Sequence, residues 1–451
     1  MEKIMKDLTT GSLGKKILMF SIPLMLSNIL QVLFNISDIA VVGKFGSSKA
    51  LGAVGSTTTL VTLYTGILIG ISGGINVLVA RAIGAKEKKN LEETIHTAAL
   101  LSLLIGFLLL VFGLISTRAI LVFFRTKPEL LENATAYMYI YLMGMPALAI
   151  YNFGNAVFSA SGDTKRPLLY LTIAGVINVV FNLFFVIVLK IHVYGVALAS
   201  VIAQLVSAIL ILRSLMNTKE DIRVEFCKLK MVREKVKELL YLGIPGGFQN
   251  AIFCIANLFV QSGVNSFSAK VVAGDAAASK ADYLIIDIMF AFYIACGSFM
   301  GQNLGARNKE RVKKSYLWSL FYCVGIALIL GGLLILFGRQ FLSLFTNEAD
   351  VVEAGMARIY IMGFSLCVSG FMDCTIAASR ALGKTVIPTV IVISGSCVFR
   401  IVWIYTIFAY FGTRTSLYLL YAFSWALTGI AEIIYFIKVY RDTFKEKVLI
   451  E

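Results

Sequence analysis

One apolar stretch near the start of this sequence carries four polar side chains that the interior of a membrane tolerates poorly. They are Asn28, Gln31, Asn35 and Asp38, and their spacings of three and four residues place them on one face of a helix. An ionised aspartate within a bilayer costs several kcal/mol unless it faces water or a partner. The row therefore predicts that this face of the helix meets water or polar partners, with Asp38 as its charged group.

Further polar residues recur in three later apolar stretches of the same half. Asn178 and Asn182 lie one helical turn apart, and the other members of the set are Asn152, Asn155, Ser200 and Gln204. Together with the row on the first stretch, these residues are predicted to line one polar cavity. The alternative is that the amides only form hydrogen bonds between helices and hold them together.

The second half of the chain has a different set of polar and charged residues in its apolar stretches. One predicted helix face carries Asn250, Asn257 and Gln261, with Gln249 beside it, and the charged members are Lys280, Asp282, Asp287, Asp373 and Arg400. Lys280 is predicted either to form an internal salt bridge with Asp287 or Asp373, or to take part in transport with them. Gln249, Lys280, Asp287 and Asp373 are the candidates in this half.

The elements that must position these residues are membrane-spanning helices. The chain has 451 residues, of which 58% are hydrophobic and 15% charged, and its mean hydropathy is +0.84. In soluble domains about a quarter of all residues are charged. Twelve apolar segments have spanning length, at about 17–42, 53–80, 95–117, 134–160, 168–189, 193–216, 239–264, 276–302, 315–338, 354–380, 387–410 and 415–437. The prediction is an all-α, polytopic membrane protein.

The segments form two related halves. Gly84 and Gly305 lie in matching turns 221 residues apart, Gly162 matches Gly383 at the same offset, and Pro23 matches Pro245 at 222. Six helices per half make the repeat parallel, an organisation in which transporters bind substrate between the halves. The predicted division is an N-lobe at 1–216, a polar linker at 217–237 and a C-lobe at 238–451, with the two six-helix lobes related by pseudo-symmetry.

Basic residues predict the orientation. If both termini and the linker lie on one side, that side carries 29 of the 41 Lys and Arg residues and the other carries 10, which leaves Lys280 and Arg400 within spans. The positive-inside rule makes the richer side cytoplasmic, as expected for a cell (inner or plasma) membrane protein. Lys15 and Lys16 precede an apolar stretch that is too long for the core of a signal peptide.

Several other classes of function are excluded on sequence. The net charge of +15 follows membrane topology, so nucleic-acid binding is not expected. The scattered cysteines and two distant histidines predict no metal site and no cofactor. Gly383-Lys384-Thr385 lacks the preceding strand and glycine of a phosphate-binding loop, and no nucleophile–base pattern indicates an enzyme.

An ordered set of motifs over nearly the whole chain resembles the multidrug and toxic compound extrusion family, and more closely its DNA-damage-inducible F-like prokaryotic branch. The motifs are Pro23 fifteen residues before Asp38, the Gly-Ala-Lys and Gly-Ala-Arg turns at Gly84 and Gly305, the run GQNLGA at 301–306, and the turns at Gly162/Pro167 and Gly383/Pro388. The resemblance implies two lobes that alternate between outward-open and inward-open states.

The resemblance also implies an ion-coupling and substrate-binding site in the N-lobe. Matching positions are Asp38, Gln31, Asn152, Asn155 and Asn178, whereas Asn182 stands where the family pattern has an aspartate. Asn35, Tyr137 and Ser200 are added as candidate lining residues, and Pro23 as the point where the first helix bends. An adaptable apolar wall is expected from Phe34, Tyr137, Phe153, Phe158 and the methionines.

The function predicted from these features is secondary active multidrug efflux, in which amphipathic or cationic molecules are exported in exchange for protons. Burial among amides disfavours the charged form of Asp38 and so favours a proton, while sodium near Asp38 remains the other coupling ion. One alternative is a flippase or exporter of a lipid-linked or metabolite substrate on the same two-lobe plan. A channel or a receptor that transports nothing is the alternative of another class.

Overall fold

The computed structural model describes residues 7–445, and every regular element in that range is a helix. Helices satisfy their own backbone hydrogen bonds, which is a requirement in a solvent that offers none. The helices are α1 (Leu13–Phe45), α2 (Ser48–Ala85), α3 (Lys88–Phe123), α4 (Pro128–Met143 and Met145–Ala160), α5 (Lys165–Val188), α6 (His192–Asn217), α7 (Arg233–Val264), α8 (Ala269–Gly305), α9 (Lys309–Ser343), α10 (Ala349–Ala381), α11 (Val386–Phe411) and α12 (Arg414–Lys445).

Within the described residues, eleven of these helices are single spans by length and composition, and the bent pair of α4 makes a twelfth. The axis of α4 turns by 48° between its two pieces. Gly144 lies at the break, where the Gln204 side-chain oxygen occupies the space that a β-carbon would need. Pro146 follows and has no N–H to continue the hydrogen-bond ladder. The prediction of an all-α, multi-pass membrane protein with about twelve helices is confirmed.

The backbone repeats where the sequence repeats. Lys86 and Arg307 both adopt the left-handed conformation, with φ of 57° and 55°, and each ends the helix that carries its turn. Gly162 and Gly383 have φ of 88° and 83°, which glycine adopts without the steric cost of a β-carbon. Matching π-helical turns occur at Phe184–Val188 and Ile404–Phe408. The predicted pseudo-symmetry of the two halves is therefore confirmed.

Packing divides the described chain into two compact units, and each contains part of both sequence halves. The N-terminal unit is Leu26–Gly247, and the C-terminal unit combines the described part of Met1–Met25 with that of Phe248–Glu451. The boundaries lie inside α1 and α7, two residues beyond Pro23 and Pro245 respectively. The first part of each helix therefore belongs to the unit formed mainly by the other half. The division at 217–237 stays a prediction about the sequence halves, because packing separates at other positions.

Within the N-terminal unit, α2 approaches the first part of α7 through glycines. A β-carbon at Gly70 would lie 2.1 Å from the Gly247 amide nitrogen, and one at Gly74 would lie 2.8 Å from that of Gly243. The glycine spacing on α2 therefore permits backbone-to-backbone contact. Phe153 and Phe158 are fully buried in the core of this unit, so the expectation that they form part of a substrate wall was wrong.

The 217–237 linker is docked onto the N-terminal unit. The backbone N–H of Glu225 donates to His96 Nε2 at 3.1 Å, and His96 Nδ1 lies 2.7 Å from the Glu92 carbonyl oxygen. One residue further along α3, the Thr97 hydroxyl donates to the Lys230 carbonyl oxygen at 3.1 Å. Polar groups at the start of α3 thus fix both ends of the linker's central part.

Candidate functional site

The N-terminal unit brings Asp38 of α1 together with two amides of α5. Asn182 donates through Nδ2 to Asp38 Oδ1 and also to Asn178 Oδ1, the latter at 3.1 Å. Asn178 and Asn182 are buried, and Asp38 is half-buried. A π-helical turn begins two residues after Asn182, and such insertions are frequent at functional sites. The predicted association of Asp38 with the amides on α5 is present in the structure.

Side chains from α4 and α6 complete the surroundings of Asp38. Ser200 lies beside its carboxyl group. Tyr137 and Tyr141, one turn apart on α4, lie within its electrostatic reach, and their rings stack with centroids 6.0 Å apart. Tyr137, Tyr141 and Ser200 are all buried. Asp38 is thus enclosed by hydroxyl and amide groups from three other helices.

Four of the predicted site residues lie elsewhere on these helices. Gln31 and Asn35 are exposed on α1. Asn152 and Asn155 are half-buried on α4, and Asn152 donates to the Leu148 carbonyl oxygen one turn back at 2.9 Å. The prediction that the whole polar set lines one cavity therefore holds only in part. In the described residues Asn178, Asn182 and Ser200 lie around Asp38, and Gln204 contacts Tyr141 beside them.

The chemistry of the contact between Asp38 and Asn182 depends on the Asn182 amide, which is fully buried and offers both a donor and an acceptor. Its Oδ1 has no hydrogen-bond partner among the described residues, whereas its Nδ2 serves two oxygens. An ionised Asp38 accepts from Nδ2, and a protonated Asp38 could donate to Oδ1 if the amide turned over. The same side chain can therefore bind Asp38 in both protonation states.

The C-terminal unit contains buried ion pairs that the sequence did not predict. Arg358 of α10 donates through Nη1 to Asp275 at 2.7 Å and through Nε to Asp282 at 2.8 Å, and all three residues are buried on α8 and α10. Lys280, by contrast, is exposed and makes no ion pair with Asp287 or Asp373 in the described chain. The predicted salt bridge of Lys280 was wrong, because the buried acids that are ion-paired here, Asp275 and Asp282, have Arg358 as their partner.

A second buried arginine of this unit has only neutral partners. Arg400 of α11 donates to Asn257 at 3.1 Å and to Ser424 at 3.3 Å. Its guanidinium also lies 4.7 Å from the ring centroid of Tyr421, with Trp425 and Phe253 slightly farther away. Aromatic faces stabilise a buried cation without an opposite charge. Asn257, predicted on the polar face of α7, is therefore a partner of this arginine.

The remaining C-lobe candidates lie near a third arginine. Arg380, near the end of α10, donates to Gln249 at 2.8 Å and to Tyr293 at 2.7 Å. Asp373 lies on the same helix within the electrostatic reach of Arg380, and Asp287 is half-buried on α8. Residues 7–445 contain no group of three or more His, Cys, Asp or Glu side chains that could hold a metal ion.

The family model MatE matches the chain twice, over residues 23–184 and 245–406. The chain belongs to the MatE family. The two matches are 222 residues apart, which is the offset of Pro23 and Pro245. The family is that of the multidrug and toxic compound extrusion transporters, so the predicted family, and a transporter in place of an enzyme, are confirmed.

Curated MatE relatives match most of the chain. A probable multidrug resistance protein of Bacillus subtilis, YoeA, is 27% identical over 390 residues, covering 84% of each chain. A second one from that organism, YpnP, is 29% identical over 352 residues, covering 77% of this chain and 78% of its own.

A solved structure described as the outward-facing conformation of a multidrug resistance MATE family transporter has a TM-score of 0.90. It is 23% identical and covers 97% of this chain and 98% of its own. At that identity the likeness supports the fold.

Sequence reasoning missed several functional candidates of this MatE chain. Arg358 and Asp275 lie near the ends of their apolar segments, where charges are usually assigned to connections. Tyr141 lies one helical turn after Tyr137 and on the same helix face, so the prediction of Tyr137 as a lining residue could have been extended to Tyr141. Glu432 lies inside the last predicted segment, 415–437, and an acid within a span is itself a sign of function.

Proposed function

We propose that this MatE transporter is a secondary active multidrug efflux antiporter that exports amphipathic or cationic small molecules in exchange for protons. Its relatives are named as multidrug resistance proteins, and the family is one of exporters. The observation that carries the coupling part of the proposal is the buried Asn182 amide that donates to Asp38. Asp38 is the ion-coupling residue, and Asn178, Asn182, Ser200 and Tyr137 surround it.

The coupling step uses the two faces of the Asn182 amide. When Asp38 is ionised, Nδ2 of Asn182 holds it. When Asp38 binds a proton, the amide turns and accepts from it through Oδ1, and the hydrogen bond from Nδ2 to Asn178 is lost. Protonation thus changes how α1 is attached to α5, and Pro23 makes α1 easier to bend. A ligand that binds one of two states more tightly shifts their populations.

The proposed setting is the plasma membrane, with both termini cytoplasmic. Support comes from the counts of basic residues, 29 on the predicted cytoplasmic side and 10 on the other. Arg358 is one of those 10, and because it is buried within the protein, it does not belong to an external connection. Substrates then leave the cytoplasm as protons enter. Gln31, Asn35, Asn152 and Asn155 are proposed to face substrate or the coupling ion in another state of the transport cycle.

The test is efflux of an amphipathic cationic dye from proteoliposomes that contain the purified protein. A proton gradient at constant sodium and a sodium gradient at constant pH are imposed separately. The proton gradient should drive uphill dye movement, and Asp38→Asn should abolish it while the protein remains folded. Asp442→Asn, the same change at an exposed position of α12, should transport normally. Full gradient-driven efflux by Asp38→Asn would refute the mechanism.

The same assay separates the alternatives. A channel or a receptor would show no uphill movement under either gradient. A flippase or metabolite exporter on this plan would leave the dye untouched while moving a lipid-linked or metabolite substrate. Movement driven by sodium alone would keep Asp38 as the ion site and replace the proton.

A further inference from the structure

A fully buried acid on α12 has no role in the site described above. Glu432 is 0% exposed, and neither of its carboxyl oxygens has a hydrogen-bond partner among the described residues. Removing a charged carboxylate from water without hydrogen bonds is among the most costly events in folding. Its charge must therefore be cancelled, either by a bound cation or by a nearby basic residue.

The basic residue whose field reaches Glu432 is Arg380 on α10. Arg380 makes hydrogen bonds to neutral side chains instead: Tyr293 at 2.7 Å, Gln249 at 2.8 Å and Thr389 at 3.2 Å. These come from α8, α7 and α11. Of its five N–H groups, two are left unused: one on Nη1 and the one on Nε, which is buried and has no partner among the described residues. The guanidinium is thus held by three helices, with its Nε–H available for an additional partner.

Arg380 also lies within electrostatic reach of Asp373, so two acids share one cation. The helices packed around Glu432 are fixed by the contacts of its neighbours: Thr428 with Ser396 on α11 at 2.9 Å, and Phe436 with the Tyr316 ring on α9 at 4.6 Å. The other titratable or charged groups on these helices near this level include Cys374, Tyr316, Cys397, Tyr435 one turn further along α12 and, two turns away beside Trp425, Arg400.

Charge balance in this buried cluster requires one more positive charge. With both acids ionised, Asp373, Glu432 and Arg380 sum to a net charge of −1, and one monovalent cation makes them neutral. Hard metal cations need several oxygen ligands, whereas no polar group touches the Glu432 oxygens. A proton needs only the carboxyl group itself.

We propose that Glu432 is a second proton-binding site of the transporter, located in the C-terminal unit and balanced by Arg380 and Asp373. When Glu432 carries the proton, Arg380 is held by Gln249, Tyr293 and Thr389 as observed. When the proton leaves, the free Nε–H of Arg380 is available to the carboxylate. Only the use of this proton in transport rests on the proposed antiport. Proton binding itself does not.

The test is infrared difference spectroscopy of the full-length protein in lipid nanodiscs, recorded across a pH titration without any transport. A protonated carboxyl group has a carbonyl stretching band that an ionised one lacks. Glu432→Gln should remove one such band. Glu348→Gln, the same change at an exposed site, should leave the band in place, and so should Asp38→Asn. An unchanged carboxyl spectrum in Glu432→Gln overturns the proposal.

The charge balance gives a second variant that does not alter Glu432. Asp373→Asn leaves one acid for one arginine, so the Glu432 carbonyl band should be lost although Glu432 is present. Arg380→Gln should instead strengthen the protonated-carboxyl signal, because both acids then need protons. A Glu432 band that persists in Asp373→Asn, or that responds to sodium and not to pH, contradicts the proposal. If dye efflux proves independent of protons while these bands behave as expected, only the proposed antiport fails.

Discussion

At the scale of single residues, Asn182 determines which ion Asp38 is suited to bind. Asn182→Asp would place two carboxylates in contact, and affinity for a hard cation rises with the number of charged oxygens around it. We expect this variant to gain sodium binding or sodium-dependent transport. The measurement is efflux at fixed pH with sodium varied, compared with wild type. Asn217→Asp adds the same charge at the exposed end of α6 and should leave the sodium response unchanged. Destabilisation without any gain in sodium response would mean that Asn182 only joins helices.

Arg358 illustrates the cost of removing one partner from a buried ion cluster. Arg358→Met leaves Asp275 and Asp282 buried without their cation, and losses of this kind are about 3–5 kcal/mol. We expect a large fall in the thermal stability of the purified protein in detergent. Replacing both acids with asparagine in the same chain should restore most of it. Arg339→Met, which breaks an exposed pair with Glu353, should have little effect, and equal losses in the two single variants would contradict the argument.

At the scale of helices, the contact between α2 and α7 depends on glycine. A β-carbon at Gly70 would overlap the Gly246–Gly247 backbone, and neither backbone can move without displacing its helix. Gly70→Val should therefore sharply reduce the yield of folded protein, as measured by fluorescence-detected size exclusion. Gly73→Val is the matched control, because nothing lies within 4 Å of its added β-carbon. Equal yields of the two variants would show that the helices can separate without harm.

The linker offers a second test at this scale. His96→Phe keeps a ring but loses both hydrogen bonds, so Glu225 is no longer held to α3. We expect faster amide exchange in the linker, and faster cleavage there by protease, with the spans unaffected. Lys89→Phe, at an exposed position near the start of α3, controls for the added aromatic ring. Unaltered exchange in His96→Phe would mean that Ile222 and Val224, both buried, hold the linker without His96.

Sequence patterns predicted where these helices lie better than they predicted where the helices are irregular. Apolar length and the 221-residue offset were sufficient for the spans and the repeat, because both are properties of composition and order along the chain. The π-helical turn after Asn182 was not predictable, since it depends on how α5 packs against its neighbouring helices. The contact between Asp38 and Asn182 spans 144 residues of sequence, so only tertiary packing could select Asn182 over Asn152 or Asn155.

At the scale of the whole molecule, the distribution of basic residues predicts the topology. Tags at both termini and in the 217–237 linker should react only with reagents that reach the cytoplasm. A tag between α7 and α8, near Ser266, should react only from outside, because the connection lies one span further along the chain. Labelling of intact cells and of inverted vesicles measures both. An external signal from either terminus would reverse the proposed direction of transport.

The boundaries inside α1 and α7 have a consequence for the origin of the chain. They are 222 residues apart, the period of the two family matches, so each half contributes the beginning of its first helix to the opposite unit in the same way. Two copies of one ancestral half, making this reciprocal exchange, would have formed a domain-swapped homodimer. Gene duplication and fusion would then have joined subunits that were already interlocked. Cutting the present chain in its linker should accordingly yield two fragments that need each other to fold.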